Sequence, residues 1–179
     1  ASPVRRPPTP PSTAKPGTKD QMLSAQEIET EMTATTMAGG AMLLSDPMEE
    51  YVRIRACMAM TSRILPHFPI HSRPLDESWS DEPNCHVAKI TRDFEEWYVV
   101  SVINWEDRYR SFRVPLPFAS GGEWHAFEFW NQEYLGACCG SIEVKDVAAH
   151  GCRMLALRRK TGRPQLVGTG MHLLQGAVE

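Results

Sequence analysis

The sequence contains no run of about 20 consecutive apolar residues, which is the length that a helix needs to span a bilayer. Its first residues also lack the apolar segment that characterises a signal peptide. Neither sign of charge is in large excess, because the formal net charge is −3 and the basic residues form no stripe. These absences argue against a membrane partner and against a nucleic-acid partner.

Cysteine is sparse and is not spaced as in a zinc site. The five cysteines are an odd number, Cys138 and Cys139 are adjacent, and none forms a CxxC pair. We therefore expect free, buried thiols, which favour a reducing compartment such as the cytoplasm. The six histidines are scattered, without metal-ligand spacing and without a neighbouring nucleophile. The sequence thus indicates neither a metal nor another cofactor.

Composition changes along the first part of the chain. Residues 1–19 are rich in proline and have no apolar periodicity, so we expect a disordered linker there. Ser24 and Glu27 then have the spacing of a capping box, which predicts the start of a helix. Glycine commonly ends a helix because it adopts a left-handed conformation without strain. The helix is therefore predicted to end at Gly39-Gly40.

The next residues are typical of one strand-to-helix unit of an α/β barrel. The apolar run at residues 41–44 suits a buried parallel strand. Asp46 suits the N-cap of a following helix and Pro47 suits its first position, and the helix is predicted to reach about residue 65. A complete (β/α)8 barrel needs roughly 250 residues. Residues 20–66 are therefore predicted to be only the terminal fragment of such a barrel.

From residue 86 onward the apolar residues follow a period of two, which is typical of strands. The strand that includes Trp97 and Trp105 is apolar on both faces, so both side chains are predicted to lie in the core. Trp124 and Trp130 are predicted to share one strand face. The predicted fold is mostly β, an antiparallel β-sandwich over residues 67–179 preceded by the last helix-strand-helix piece of an incomplete (β/α)8 barrel. The predicted strands are 86–91, 96–105, 109–116, 123–130, 141–144, 152–159 and 166–173.

Ser45 and Asp46 are the candidate site residues. They follow the predicted barrel strand, and barrel enzymes carry active-site groups at the C-terminal ends of their strands. Both residues would then lie on the rim of a substrate pocket. The alternative is structural: Asp46 would only cap the following helix by accepting backbone N–H bonds.

Five motifs occur in a fixed order along the chain, at residues 37–46, 71–76, 102–105, 129–136 and 163–176. Together they resemble the C-terminal part of glycoside hydrolases of the α-galactosidase-like clan (families 27, 31 and 36 and relatives). The resemblance implies a last barrel strand and helix followed by a packed β-sandwich. It also implies a retaining mechanism with two aspartates on earlier barrel strands, which have no counterpart here. No catalytic residue is therefore predicted, whereas Ser45 and Asp46 match the last-strand motif and are expected to bind substrate.

Three functional hypotheses follow. In the favoured one, the chain is a C-terminal fragment of such a glycosidase, inactive alone because hydrolysis by the common mechanism needs two carboxyl groups about 5–5.5 Å apart. Carbohydrate would then bind to the missing barrel. In the second, the chain is a non-catalytic β-sandwich that binds carbohydrate through Trp124 or Trp79, or packs against another domain. In the third, a separate partner chain completes the barrel.

Overall fold

The computed structural model describes residues 23–39, 63–64, 69–75, 83–119 and 121–175. This part of the chain holds one α-helix, eight strands and a short 3-10 turn at Pro117–Ala119. The helix is α1 (Ala25–Ala38), and the strands are β1 (Ser72–Pro74), β2 (Cys85–Thr91), β3 (Glu96–Ile103), β4 (Arg110–Pro115), β5 (Trp124–Glu128), β6 (Glu133–Cys138), β7 (Ser141–Val147) and β8 (Cys152–Arg159). No helix in these ranges is long and apolar enough to cross a membrane.

The strands form two antiparallel sheets. The larger sheet has six strands in the order β1-β2-β3-β8-β5-β6, and the smaller one pairs β4 with β7. Every pairing is antiparallel. The prediction of a mostly β fold with antiparallel sheets is therefore confirmed.

An apolar core lies between the two sheets. Strands β4 and β7 each turn alternate side chains inward, as the two-residue period of a strand requires. The large sheet contributes Val100 and Val102 from β3, and Leu155 and Leu157 from β8, all fully buried. We call the side of the large sheet that bears these residues the inter-sheet face.

The opposite side of the large sheet is covered by α1, by Ile64 and by the irregular residues 160–175 that follow β8. We call this side the anchoring face. Trp97 and Val99 project to it from β3, whose alternate residues project to the inter-sheet face. The central strand is therefore buried on both faces, as its sequence predicts. The buried cluster of this face is Met37, Ile64, Ile70, Ala88, Ile90, Trp97, Val99, Ile103, Phe129, Trp130, Cys152, Met154, Leu173 and Leu174.

Helix α1 begins and ends as predicted. The hydroxyl of Ser24 accepts a hydrogen bond from the Glu27 backbone N–H (3.2 Å), and the Glu27 carboxylate accepts one from the Ser24 N–H (2.7 Å). Gly39 ends the helix at a φ of 66°, and its N–H donates to the Thr36 carbonyl. The predicted strand at 41–44 and nearly all of the predicted helix at 47–65 lie outside the described residues. Within that range Arg63 and Ile64 are described, and they form a turn.

The strands differ from the sequence predictions in three places, the first being β1 (Ser72–Pro74), which was not predicted. The strand predicted at residues 166–173 is wrong, because these residues form an irregular segment packed on the anchoring face. Strand β6 was not predicted from the sequence. It is a largely exposed edge strand, so its side chains show no apolar alternation, and Gly136 adopts a φ of 96° beside a register shift.

Two tryptophan predictions are also wrong. Trp105 lies beyond the end of β3 and is 39% exposed instead of buried. Trp124 and Trp130 are both buried, but on opposite sides of the large sheet. Strand β5 ends at Glu128, and the turn that follows carries Trp130 to the anchoring face.

Candidate functional site

The predicted site residues Ser45 and Asp46 lie outside the described residues, so the structure does not place them. The residues on either side of their segment are described. Gly39 precedes residues 40–62 and Arg63 follows them, and both contact the anchoring face. This face is the candidate functional site, because it fixes the two ends of the segment that carries the predicted substrate-binding residues.

Threonine hydroxyls attach α1 to the anchoring face. The Thr30 hydroxyl donates to the backbone carbonyl of His150 (2.8 Å). The Thr33 hydroxyl accepts a hydrogen bond from the indole Nε1 of Trp130 (3.0 Å) and lies 3.4 Å from the Sγ of Cys152. Because these bonds are directional and buried, they fix the position of the helix along the sheet more tightly than apolar contact alone.

The C-terminal end of α1 is held by backbone contacts. The Ser72 hydroxyl of β1 donates to the Met37 carbonyl (2.5 Å). Gly39 packs directly on Ile70, and a Cβ atom at position 39 would lie 2.3 Å from the Ile70 carbonyl oxygen. Only glycine fits here, both because of this contact and because of the positive φ. The start of residues 40–62 is therefore tied to the large sheet.

Arg63 is attached to the same face from the other end of that segment. Its backbone carbonyl accepts a hydrogen bond from the Leu173 N–H (2.8 Å). Its guanidinium carbon lies 5.5 Å from the centroid of the Phe129 ring, a cation–π distance. Ile64, the next residue, is fully buried. The end of residues 40–62 is thus fixed through the segment that follows β8.

Arg158 is the centre of the contacts that hold this segment. Its guanidinium pairs with the Glu95 carboxylate, lies 4.4 Å from the centroid of the Trp97 ring, and donates to the Gln175 carbonyl (2.8 Å). Burial lowers the pKa of Arg158 and the charge of Glu95 opposes that shift, so the guanidinium stays charged. The indole of Trp97 donates to the Leu174 carbonyl (3.2 Å). Residues 174 and 175 are therefore clamped to β3 and β8.

Close packing explains why this segment is irregular. A Cβ atom at Gly168 would lie 2.2 Å from the Phe127 ring. The buried side chain of Gln175 accepts from the Thr169 N–H (2.8 Å) and donates to the Thr169 carbonyl (3.0 Å). These bonds use the backbone groups of Thr169 that a strand would pair with a neighbour, so a side chain replaces a strand partner.

The buried carboxylate of Glu128, at the end of β5, is not available for chemistry. One oxygen of Glu128 accepts from the N–H groups of Trp130 and Met154, and the other accepts from the N–H of Asn131. On α1, burial and then the Glu128 charge raise the pKa of half-buried Glu29. These two acids are electrostatically coupled across the interface, but the hydrogen bonds of Glu128 give it a structural role. Within the described ranges, no group of three or more His, Cys, Asp or Glu side chains could hold a metal ion.

None of the described cysteines forms a disulfide. Cys85 and Cys152 are buried as predicted, whereas Cys138 is half-buried and Cys139 is exposed. Burial raises the pKa of the Cys152 thiol to about 11, against weaker opposing effects of the hydrogen bonds to Thr33 and Thr30. Cys152 is therefore protonated and unreactive at neutral pH. It serves as a packing residue beneath α1.

The threonine face of α1 was missed in reading the sequence, although a signal for it exists. Thr30, Thr33, Thr36 and Met37 follow the three-four spacing of one helical face, and all four are buried. Threonine is polar, so a search for apolar spacing passes over it. The buried side of α1 therefore carries a stripe of hydroxyl groups, and one of them faces the indole N–H of Trp130. These polar contacts make the position of the helix specific.

No family model matches the sequence, and no curated protein matches it. Solved structures do share the fold. An isomalto-dextranase from Arthrobacter globiformis T6, complexed with panose, aligns with a TM-score of 0.62 and 12% identity over 77% of this chain and 24% of its own. A GH27 β-L-arabinopyranosidase from Geobacillus stearothermophilus aligns with a TM-score of 0.63 and 15% identity over 84% of this chain and 34% of its own.

A Bacillus halodurans C-125 protein assigned as an α-N-acetylgalactosaminidase aligns with a TM-score of 0.60 and 16% identity, over 77% of this chain and 32% of its own. At sequence identities this low, the structural alignments establish a shared fold and nothing further. The chain spans a quarter to a third of the length of these proteins. The fold is therefore one found in glycoside hydrolases of the GH27 type and their relatives, as part of a longer polypeptide.

Proposed function

We propose that this chain is the C-terminal part of a glycoside hydrolase of the α-galactosidase-like clan. The complete enzyme would hydrolyse O-glycosidic bonds, and carbohydrate would bind mainly to the barrel, of which residues 20–66 are the last piece. The shared fold with glycosidases and the five sequence motifs support this proposal. The 179 residues alone would be inactive, because the two catalytic carboxylates that the resemblance implies have no counterpart among them.

The role of the β-domain in this enzyme is to position the rim of the pocket. One observation carries this conclusion: Gly39 and Arg63, at the two ends of segment 40–62, contact Ile70 and Leu173, which belong to one buried cluster on the anchoring face. Fixing both ends removes conformational freedom from the segment between them. In the complete enzyme, this would limit where the rim of the pocket can lie relative to the β-domain.

The test compares two polypeptides. The first is the 179-residue chain, and the second is the same chain extended through any open reading frame that continues upstream of its coding sequence. Both are assayed with nitrophenyl α-galactoside, β-L-arabinopyranoside and α-N-acetylgalactosaminide. We expect turnover from the extended protein only. Turnover by the 179-residue chain at the rate of the extended protein, or an extended protein that hydrolyses none of the three, contradicts the proposal.

Variants of the extended protein test the positioning role. Gly39→Ala adds a methyl group against the Ile70 carbonyl, and Gly140→Ala adds one at a similar positive φ where nothing lies within 4 Å. We expect kcat to fall at least about tenfold, which is about 1.4 kcal/mol, for Gly39→Ala only. Equal kcat values for the two variants would contradict a positioning role for this contact.

In the alternative hypothesis of a carbohydrate-binding β-sandwich, Trp124 is not suited to bind sugar. Trp124 is only 8% exposed and packs edge-on against Tyr98 and Phe118 between the sheets. Its ring face is not available to a sugar. Trp79, the other proposed platform, lies outside the described residues. The hypothesis of a separate partner chain stays a proposal that the same assay tests, with the partner added in trans.

A further inference from the structure

We propose that the loop of residues 104–109, which we call the aromatic loop, is a binding site for a neutral oligosaccharide. The loop connects β3 to β4 at one end of the sandwich. This inference rests on the proposed function, in which a carbohydrate is the substrate, and adds a second contact for that substrate outside the barrel. It depends on three properties of the loop: rigidity, exposed aromatic rings and a balanced charge.

The loop is held rigid by Asn104, which is fully buried. Its side-chain amide donates to the backbone carbonyls of Arg108 (2.7 Å), Ala148 (2.8 Å) and Val147 (3.1 Å). Its side-chain oxygen accepts from the Glu106 N–H (3.1 Å). One side chain therefore joins both ends of the loop to the turn that precedes β8. A preorganised loop loses little entropy when a ligand binds.

Two aromatic side chains are exposed on this rigid loop. The indole Nε1 of Trp105 donates to the Pro83 carbonyl (3.2 Å), which fixes the orientation of the ring. Trp105 is 39% exposed, so this oriented residue is partly open to solvent. Tyr109, at the other end of the loop, is 70% exposed. Apolar ring surface beside polar groups is what the C–H faces and hydroxyls of a pyranose require.

The charged side chains around these rings balance one another. Glu106 pairs with Arg108 and with Arg110, each at 2.7 Å. Asp107 lies 2.8 Å from the Nε2 of His150, and its side chain is 97% exposed. The negative charges of two acids thus equal the positive charges of two arginines. This balance favours a neutral ligand over a phosphate or an acidic polysaccharide. Their exposed oxygens and guanidinium N–H groups suit hydroxyls, which both donate and accept.

Phe94, another exposed aromatic side chain, lacks this setting. Phe94 is 71% exposed at the β2–β3 connection, but its ring stacks on Trp97 with a centroid distance of 6.3 Å. It therefore serves as a matched control: an equally exposed ring, away from the aromatic loop.

The test is calorimetric titration of the full 179-residue chain with panose, galactose and arabinose, together with the change in tryptophan fluorescence. We expect saturable binding of at least one neutral sugar. Trp105→Ala is expected to weaken it at least about tenfold and Tyr109→Ala severalfold, whereas Phe94→Ala leaves it unchanged. Tyr109 is exposed, so its variant keeps the test decisive even where Trp105→Ala lowers the folded fraction seen by circular dichroism.

Three results overturn the inference: no saturable binding of any of these sugars, binding that neither loop variant weakens, or tighter binding of trigalacturonate than of the neutral sugars. The outcome is separable from that of the proposed function. Hydrolysis by the extended protein without sugar binding to the 179-residue chain removes the aromatic loop site alone. Sugar binding without hydrolysis by the extended protein removes the proposed glycosidase and leaves a carbohydrate-binding module.

Discussion

The two faces of the large sheet are buried by different chemistry. On the inter-sheet face, valine and leucine side chains such as Val102, Val114 and Leu157 meet without a hydrogen bond between them. On the anchoring face, a threonine hydroxyl meets an indole, and an arginine meets a carboxylate and a carbonyl. The same strands, β3 and β8, supply both faces through their alternating side chains.

The two faces therefore have different roles: one stabilises the fold, and the other fixes the position of the elements packed on it. Apolar contacts gain free energy in proportion to the buried area, and cores tolerate many arrangements of similar volume. Buried hydrogen bonds add little net free energy, but they leave a costly unpaired group when the partners move apart. We infer that the inter-sheet face makes the domain fold, whereas the anchoring face decides where α1 and Arg63 lie on it.

The largest effect is expected on the inter-sheet face. Leu157→Ala removes a fully buried side chain and leaves a cavity, which costs about 2–5 kcal/mol. Urea unfolding should show a lower midpoint with an unchanged slope. Leu135→Ala, on the exposed edge strand β6, is the control and should cost less than about 1 kcal/mol. Equal losses for the two variants would contradict the assignment of the stabilising core.

A smaller effect is expected from the threonine contacts. Thr33→Val keeps the shape of the side chain but leaves the buried Trp130 indole N–H without its partner, which costs about 1–3 kcal/mol. Thr91→Val, at the exposed end of β2, is the control and should change the free energy of unfolding by less than about 0.5 kcal/mol. If both variants unfold at the same urea concentration, the hydrogen bonds of Thr33 do not hold the helix.

The smallest effect at neutral pH, which grows only at alkaline pH, concerns the Cys152 thiol. Because burial raises the pKa of Cys152 to about 11, the folded protein retains the thiol proton at pH values where the unfolded chain has lost it. The stabilisation is complete below the unfolded pKa of about 8.5 and is lost as the pH rises toward the folded value. Stability should therefore decline between these values, and less so in Cys152→Ser. A pH dependence that is identical in both proteins contradicts this linkage.

The same burial predicts an order of alkylation. Iodoacetamide should modify exposed Cys139 in the folded protein at neutral pH, whereas Cys152 should react only after denaturation. Peptide mass spectrometry distinguishes the two sites. Rapid modification of Cys152 in the folded chain would show that α1 does not cover it.

The parts of the fold that can be predicted from the sequence are those in which the local residue pattern matches the burial seen in the structure. Strand β8 has the predicted bounds, and the capping box of Ser24 and Glu27 forms as expected. Prediction fails where tertiary contacts decide. Close packing at Gly168 and the hydrogen bonds of Gln175 accompany an irregular backbone where the sequence predicts a strand. The hydrogen bonds of Asn104 hold the chain in a loop directly after β3, and Trp105 therefore lies outside the core.

The candidate site could be predicted only in part. The motif that contains Ser45 and Asp46 points to a substrate pocket, and these residues stay a prediction because they lie outside the described part of the chain. The anchoring face could not be found in this way, because its contacts join residues far apart in sequence, such as Thr33 with Trp130 and Arg63 with Leu173. Their partners become evident only when the sheet order is known.

Amide hydrogen exchange in Gly39→Ala tests the central claim most directly, with Gly140→Ala as the control for backbone strain. The account predicts that Gly39→Ala speeds exchange in α1 by at least about tenfold, equivalent to about 1.4 kcal/mol, while β3 and β8 stay as protected as in the control. Equal exchange of α1 in the two variants, or equal deprotection of α1, β3 and β8, would contradict an anchoring face distinct from the folding core.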